Sequence, residues 1–487
     1  MAHYKCWIAG AVVVLSFFVV SARAEELLPP DIAFAQSYCN DSWESAITVI
    51  PTTDGMTVAV NGARQEGSSE TFTFVNYLAE ALPDGTSVNQ YPFAEGFYPQ
   101  KGCAVAGGYV FAGSMIDQFN NELVGVNPQG VEQWRQSYNN PSTDDYFDHI
   151  SKLVVQRDGN LLALGQTSNG GPELEYRVLV QKTDALGNLI WAKTHLQGGA
   201  VGSFDLVETP EVAGSPSGCY VLARDIDPVL LRLDDSGDVV REIVLSSPDW
   251  RYDFRSLTVA PDGLVLAGGA IRLPDARYFD VCLAQVDFDG TIVWQREYDY
   301  YASYNEIALN ILGLPDGGFV LYCMRSGFTF ALIRTDAQGE VLWDHGYTVL
   351  DGMGHPNAMA LAYDGGLLMA YTRQIGSPVT ESDAVVVKTT PIVPPIAPAF
   401  RRGDSNGDGA IDLSDAVNTL SMLFLGTGNV LCQDAADSND DGSIDLSDAV
   451  IILSCLFLGS PPALKPPYPG TGVDPTDDAL DCAQYGK

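Results

Sequence analysis

The sequence predicts an all-β, seven-bladed propeller followed by a small all-α unit built from two loop–helix repeats. Three observations predict it: a turn-and-strand unit that recurs seven times, a proline run near residue 395, and two acidic twelve-residue segments behind that run.

The recurring unit is a glycine turn that opens an apolar strand. It is seen at Asp54-Gly55-Met56-Thr57-Val58, Gly107-Gly108-Tyr109-Val110-Phe111, Asp158-Gly159-Asn160-Leu161-Leu162 and Ser217-Gly218-Cys219-Tyr220-Val221. It returns at Asp262-Gly263-Leu264, Asp316-Gly317-Gly318-Phe319 and Asp364-Gly365-Gly366-Leu367. A second turn follows within each unit, clearest at Thr183-Asp184-Ala185-Leu186-Gly187 and Thr335-Asp336-Ala337-Gln338-Gly339. Four residues beyond its glycine a tryptophan often appears: Trp134, Trp191, Trp294 and Trp343. Aspartate-glycine turns between apolar runs are hairpin chemistry, because glycine accepts positive φ. Four short strands about every fifty residues are the mark of propeller blades.

The seventh unit has a third strand at Ala384–Lys388 and then meets proline, with no fourth strand. The N-terminus holds the missing piece: Phe34-Ala35-Gln36-Ser37-Tyr38 parallels Trp134-Arg135-Gln136-Ser137-Tyr138. The N-terminal strand is therefore expected to complete blade seven and remove an exposed sheet edge. The propeller spans 31–390. Residues 391–400, rich in proline, form a semi-rigid spacer, and 401–487 a second domain. The pattern Asp-Gly-Gly-strand with Thr-Asp-x-x-Gly-x-x-x-Trp resembles the secreted bacterial propeller repeats, a likeness of fold and not of activity.

The acidic segments start 33 residues apart, at 404 and 437. Oxygen-bearing residues occupy loop positions 1, 3, 5, 9 and 12: Asp404, Asn406, Asp408, Asp412 and Asp415 in the first, Asp437, Asn439, Asp441, Asp445 and Asp448 in the second. Gly409 and Gly442 allow the sharp turn at position 6, and the carbonyls of Ala410 and Ser443 stand at position 7. Hard oxygen ligands at this spacing suit calcium, one ion per loop. Helices are expected at Ala416–Leu425, stopped by Gly426, and at Ala449–Leu458, stopped by Gly459, with Ser414 and Ser447 at the loop–helix boundaries.

Loop–helix repeats with no leading helix and with aspartate at position 12 resemble type I dockerins, over about 401–487. The Leu-Phe-Leu-Gly helix ends and the stretch Asp474-Pro475-Thr476-Asp477-Asp478-Ala479-Leu480-Asp481-Cys482 look like the variant found at the C-termini of many secreted bacterial proteins. The resemblance implies calcium-dependent folding and, in cellulosomal members, docking onto cohesin modules. Loop positions 10 and 11, here Leu413-Ser414 and Leu446-Ser447, depart from the usual recognition pairs. A Cys432–Cys482 bridge would clamp the tail over the helices, and Cys455 reads as core.

Residues 1–24 read as a secretory leader. Lys5 supplies the positive end, Trp7–Val20 the apolar stretch, and Ala22-Arg23-Ala24 the cleavage site. The alternative is a retained N-terminal anchor; no other run is long enough to span a bilayer. The expected location is extracellular, with periplasm or cell surface as alternatives. A net charge of −36 repels nucleic acid and anionic lipid and attracts cations. Nine cysteines in 487 residues do not make a disulfide scaffold.

No nucleophile motif, zinc-ligand cluster or phosphate loop occurs, and no catalytic residue is assigned. The mature chain's four histidines and the tryptophan series read as structural. Ligand-binding candidates lie on the face of blade-to-blade connections, where Tyr146, Trp250, Tyr252, Tyr300 and Tyr301 stand beside carboxylates. Flat rings beside acids suit sugars, and loops on a rigid scaffold are where function sits; the alternative is loop packing. Two function classes remain open. One is an extracellular binding, adhesion or assembly module with a carbohydrate or protein ligand on the propeller and a cohesin-like or cell-surface partner on the C-terminal domain. The other is an enzyme or accessory protein of polysaccharide catabolism. The Asp-Ala-x-Gly-x-x-x-Trp pattern also resembles quinone-dependent propeller dehydrogenases, but those have eight blades and their cofactor residues are not identifiable here.

Overall fold

The structure is a computed structural model. It describes residues 28–38, 43–52, 55–65, 72–94, 96–105, 107–115, 121–138, 147–168, 175–198, 201–209, 218–273, 278–299, 305–326, 328–349, 353–375, 381–394, 400–428, 430, 432–458, 464–465, 467–468, 472, 480, 482 and 485. The expected leader and residues 395–399 of the proline run lie outside these residues.

Twenty-eight strands form the described β-structure. β1 is Ile32–Tyr38. Blade one holds β2 Trp43–Thr52, β3 Gly55–Gln65, β4 Phe72–Ala81 and β5 Ser87–Pro92. Blade two holds β6 Phe97–Val105, β7 Gly108–Met115, β8 Asn121–Val126 and β9 Glu132–Tyr138. Blade three holds β10 Phe147–Val155, β11 Leu161–Ser168, β12 Tyr176–Thr183 and β13 Leu189–Gly198. Blade four holds β14 Gly202–Glu208, β15 Gly218–Arg224, β16 Pro228–Asp234 and β17 Val239–Val244. Blade five holds β18 Trp250–Ala260, β19 Gly263–Arg272, β20 Asp280–Val286 and β21 Ile292–Tyr298. Blade six holds β22 Ile307–Gly313, β23 Phe319–Met324, β24 Phe330–Thr335 and β25 Val341–Tyr347. Blade seven holds β26 Met353–Leu361, β27 Gly366–Ile375 and β28 Glu381–Pro391, completed by β1.

Within blades one to six the strands are antiparallel neighbours in chain order, and in blade seven β1 follows β28. β1 runs antiparallel to β28, from Ile32 opposite Thr389 to Tyr38 opposite Ala384. The seven-bladed ring closes as the sequence parallel between Phe34–Tyr38 and Trp134–Tyr138 predicts.

Apolar side chains on both faces of each sheet are buried against the neighbouring blades. One core layer joins Val320, Tyr322 and Leu332 of blade six to Leu367, Met369 and Tyr371 of blade seven. Another joins Leu78 of blade one to Phe97 and Phe111 of blade two. Burial on two faces explains why the middle strands read as continuous apolar runs.

A repeated lock ties outer strands β9, β21 and β1 to the next blade. Gly187 has φ +79°, and a Cβ there would lie 2.4 Å from the Trp134 ring. The Tyr138 hydroxyl donates to the Gly187 carbonyl at 2.6 Å. Trp294 and Tyr298 meet Gly339 in the same way, with a 2.7 Å hydroxyl contact. At the closure Phe34 replaces tryptophan against Gly85, and Tyr38 donates to the Gly85 carbonyl at 3.1 Å. The tryptophan series is inter-blade packing.

The turn aspartates are likewise structural. Asp184 accepts the amides of Leu186 and Asn188 at 2.9 and 2.8 Å, and Asp336 those of Gln338 and Glu340. Buried bases at the end of third strands reach other turn aspartates: Lys182 to Asp235 at 2.6 Å, Arg334 to Asp316, and Lys388 to Asp364.

All seven innermost strands carry a β-bulge at the same level. The extra residues are Ile47, Gln100, Ser151, Phe204, Arg255, Leu309 and Asn357. A bulge bends and re-aims its strand, and here seven of them ring the propeller axis.

The C-terminal residues form α1 Leu413–Leu425, the four-residue α2 Gln433–Ala436 and α3 Leu446–Leu458. α1 and α3 pack together through Ala416, Ala449 and Ile452. Both helices start three residues before the expected Ala416 and Ala449. The reason is visible in α1: Asp412 caps it by accepting the Ser414 amide, and Asp415 accepts back from the Asp412 amide, a capping box built from loop positions 9 and 12. Gly426 ends α1 with φ +64°; Gly459 lies outside the described residues.

Candidate functional site

The two acidic segments fold alike. Asp404 and Asp437 are buried and accept the amides of Gly409 and Gly442 at 2.9 and 2.8 Å. Asn406 and Asn439 donate to Asp408 and Asp441 at 3.0 and 2.8 Å, and to Ser414 and Ser447. The Ala410 and Ser443 amides donate to Asp408 and Asp441. Asp445 accepts the Ser447 amide as Asp412 does that of Ser414. Asp415 and Asp448 are fully buried. Burial raises each carboxyl to about 6; neighbouring carboxylates push the same way and loop amides oppose.

Among the described residues no group of three or more acidic, histidine or cysteine side chains is drawn together as a closed metal cluster. The loops nevertheless fit a hard cation in donor chemistry. All contributing side-chain groups are oxygens, and the buried Asn439 Oδ1 has no hydrogen-bond partner. A shielded acceptor left without a donor in an acidic loop is the state a cation relieves.

Around the loops, Arg402 is fully buried. It donates to the Asp434 and Asp437 carbonyls at 2.9 and 2.7 Å and pairs with Asp440 at 2.8 Å. It thereby ties the lead of the first loop to the second. Cys432 and Cys482 form the expected disulfide. Tyr485 from the tail donates to Asp404 at 2.7 Å. Cys455 is half-buried against the same core as α1 and α3.

The outer surface of these helices is apolar in matched pairs. Leu413 and Leu446 are each 53% exposed, Val417 and Val450 are 52% and 50%, and Phe424 and Phe457 are each 68%. Each pair is related by the same 33-residue step as the loops.

On the propeller, Tyr252 is buried in blade five; its hydroxyl donates to Gln295 at 2.7 Å and its ring stacks on Phe254 at 5.1 Å. Trp250 is half-buried, with the Arg272 guanidinium 5.6 Å from its ring centre. Tyr146, Tyr300 and Tyr301 lie outside the described residues.

Sequence reasoning did not find the axial cavity. It has a volume of about 420 Å³ and is lined from all seven innermost strands, with Lys101, Lys152, Asp205 and Arg255 as its charged members. These side chains lie at or directly after the bulge of their strands, and their distances to the first-turn glycine differ too much from blade to blade to mark them in sequence. Among the described residues, no helix is long and apolar enough to cross a membrane.

No family model and no curated protein matches the chain. Similar solved structures include a protein of unknown function from Bacteroides caccae, with 14% identity and TM-score 0.37 over 55% of this chain and 89% of that one. One of unknown function from Dyadobacter fermentans has 10% identity and TM-score 0.41 over 73% and 99%. The polysaccharide lyase Uly1 has 11% and 0.43 over 73% and 92%. Likeness at this level carries no argument about this chain. The all-β seven-bladed propeller with a few short C-terminal helices rests on the strand pairing itself.

Proposed function

We propose that the protein is a secreted extracellular binding or assembly module whose C-terminal domain is dockerin-like, folds around two calcium ions and docks onto a partner protein. Asp404, Asn406, Asp408, Ala410, Asp412 and Asp415 would hold one ion, and Asp437, Asn439, Asp441, Ser443, Asp445 and Asp448 the other. The ions would neutralise buried carboxylates and couple ligation to folding. The observation that carries the docking reading is the duplicated apolar surface, Leu413, Val417 and Phe424 with Leu446, Val450 and Phe457. Exposed apolar groups gathered on a small domain mark an interaction surface. Matched copies offer a partner two equivalent poses. The partner chemistry that fits is an apolar sheet face such as that of a cohesin.

Surface plasmon resonance against immobilised type I cohesins, with calcium and then with EDTA, tests this. Calcium-dependent binding that survives Phe424→Ala alone but falls in Phe424→Ala with Phe457→Ala supports the reading. No binding to any cohesin in calcium, or binding indifferent to both changes, contradicts it.

A further inference from the structure

The axial cavity combines three features. First, its wall is made of sheet edges: six of the seven innermost strands pair only with the second strand of their own blade, and β2 adds a single bridge from Trp43 to Ser382. Such an edge presents backbone donors and acceptors to whatever fills the axis. Second, polar side chains join them, including Thr48, Ser151, Ser256 and Asn310. Third, the charges are unevenly matched. Lys152 pairs with Asp205 at 2.7 Å, and Asp205 also accepts from Ser256 and from the Leu257 amide. Arg255 shares Asp253 with Arg224, at 2.8 and 3.1 Å, and lies 4.6 Å from the Phe204 ring centre. Lys101 makes no hydrogen bond or ion pair among the described residues. Burial lowers its pKa, and Lys152 adds to the effect while Asp205 opposes it.

We propose that the axial cavity binds a small hydroxylated carboxylate, a sugar acid or similar hydroxy acid, with its carboxylate on Lys101 and its hydroxyls on the strand edges. An ammonium without a counter-charge among the described residues calls for a negative group, and a ring of peptide groups calls for hydroxyls. A volume of about 420 Å³ is within the ordinary range for small-ligand sites. A cationic axis inside a chain of net charge −36 gives no general affinity for anions, so the selection is local. This site is independent of the calcium and docking reading: it uses no residue of the C-terminal domain.

Calorimetric titration of the full chain with sodium gluconate and sodium glucuronate tests it, with glucose, methyl glucuronate ester and inorganic phosphate as controls. One equivalent of at least one acid should bind, glucose and the ester at least about tenfold more weakly, since a lost charged contact is worth roughly 1.5–3 kcal/mol. Lys101→Met should lose about tenfold and Lys101→Arg should retain most of the affinity. The ester comparison carries the test if Lys101→Met fails to fold. The proposal is overturned if neither acid binds at 10 mM, if the ester or glucose binds as well as the acids, if phosphate binds more tightly than both, or if a folded Lys101→Met binds unchanged.

Discussion

Replacing Gly187 by alanine tests how the blades are joined. The residue sits at φ +79°, so a Cβ costs roughly 1–2 kcal/mol in backbone strain alone. The new methyl would also stand 2.4 Å from the Trp134 ring and 2.9 Å from the Gln136 side chain. The indole has little room to yield, because a Cβ built on Gly125 behind it would lie 2.3 Å from its atoms. Overpacking of this kind adds about 1–3 kcal/mol, for a total of about 2–5 kcal/mol. Gly159 is the control. It has φ +81° with nothing within 4 Å of its built Cβ, so Gly159→Ala should cost only the backbone part, roughly 1–2 kcal/mol. Urea unfolding followed by far-ultraviolet circular dichroism measures both. In a Trp134→Leu background the excess cost of Gly187→Ala should largely vanish, a coupling of about 1–3 kcal/mol. Equal costs for the two glycines, or an excess that persists without the indole, would refute the lock.

Other outcomes follow from the same structure. A chain starting at Ser42 lacks β1 and with it the Tyr38–Gly85 contact and the bond from Tyr347 to the Pro30 carbonyl; it should aggregate or melt well below the full chain, and equal melting would contradict the closure. Arg402→Met leaves two buried carbonyls and Asp440 without their shared cation, so calcium-loaded stability should fall by about 3–5 kcal/mol in a denaturant titration. Burial raises the Cys219 thiol to about 12 and lifts Cys282 and Cys323 further. These three should stay unreactive to Ellman's reagent in the native protein from pH 7 to pH 9 and react on unfolding; rapid native labelling rising with pH over that range would show they are not core.

Much of the ring is legible in the sequence because its signals are local. Glycine turns, apolar runs and the Phe34–Tyr38 parallel each sit within a few residues, and each maps onto a strand or lock that forms. The bulges at Ile47 through Asn357 are not legible, since they answer to curvature around an axis shared by seven blades. Lys101 is similarly hidden: nothing near it in sequence shows that Lys152 and Arg255 have aspartate partners while it has none among the described residues. The helices start three residues ahead of the sequence expectation because Asp412 and Asp415, which the sequence presents as ion ligands, also form the α1 capping box. The apolar pairs along α1 and α3 were visible as sequence, but their exposure depends on which face the two helices bury against each other.

The claim on which the proposed function depends most is that the C-terminal loops bind calcium. Calorimetric titration of the chelator-stripped full chain with calcium measures it directly. Two ions should bind per chain, one each to Asp404→Ala and Asp437→Ala variants, and none to the double variant. A wild-type stoichiometry of zero, or two ions still bound by the double variant, would contradict the account.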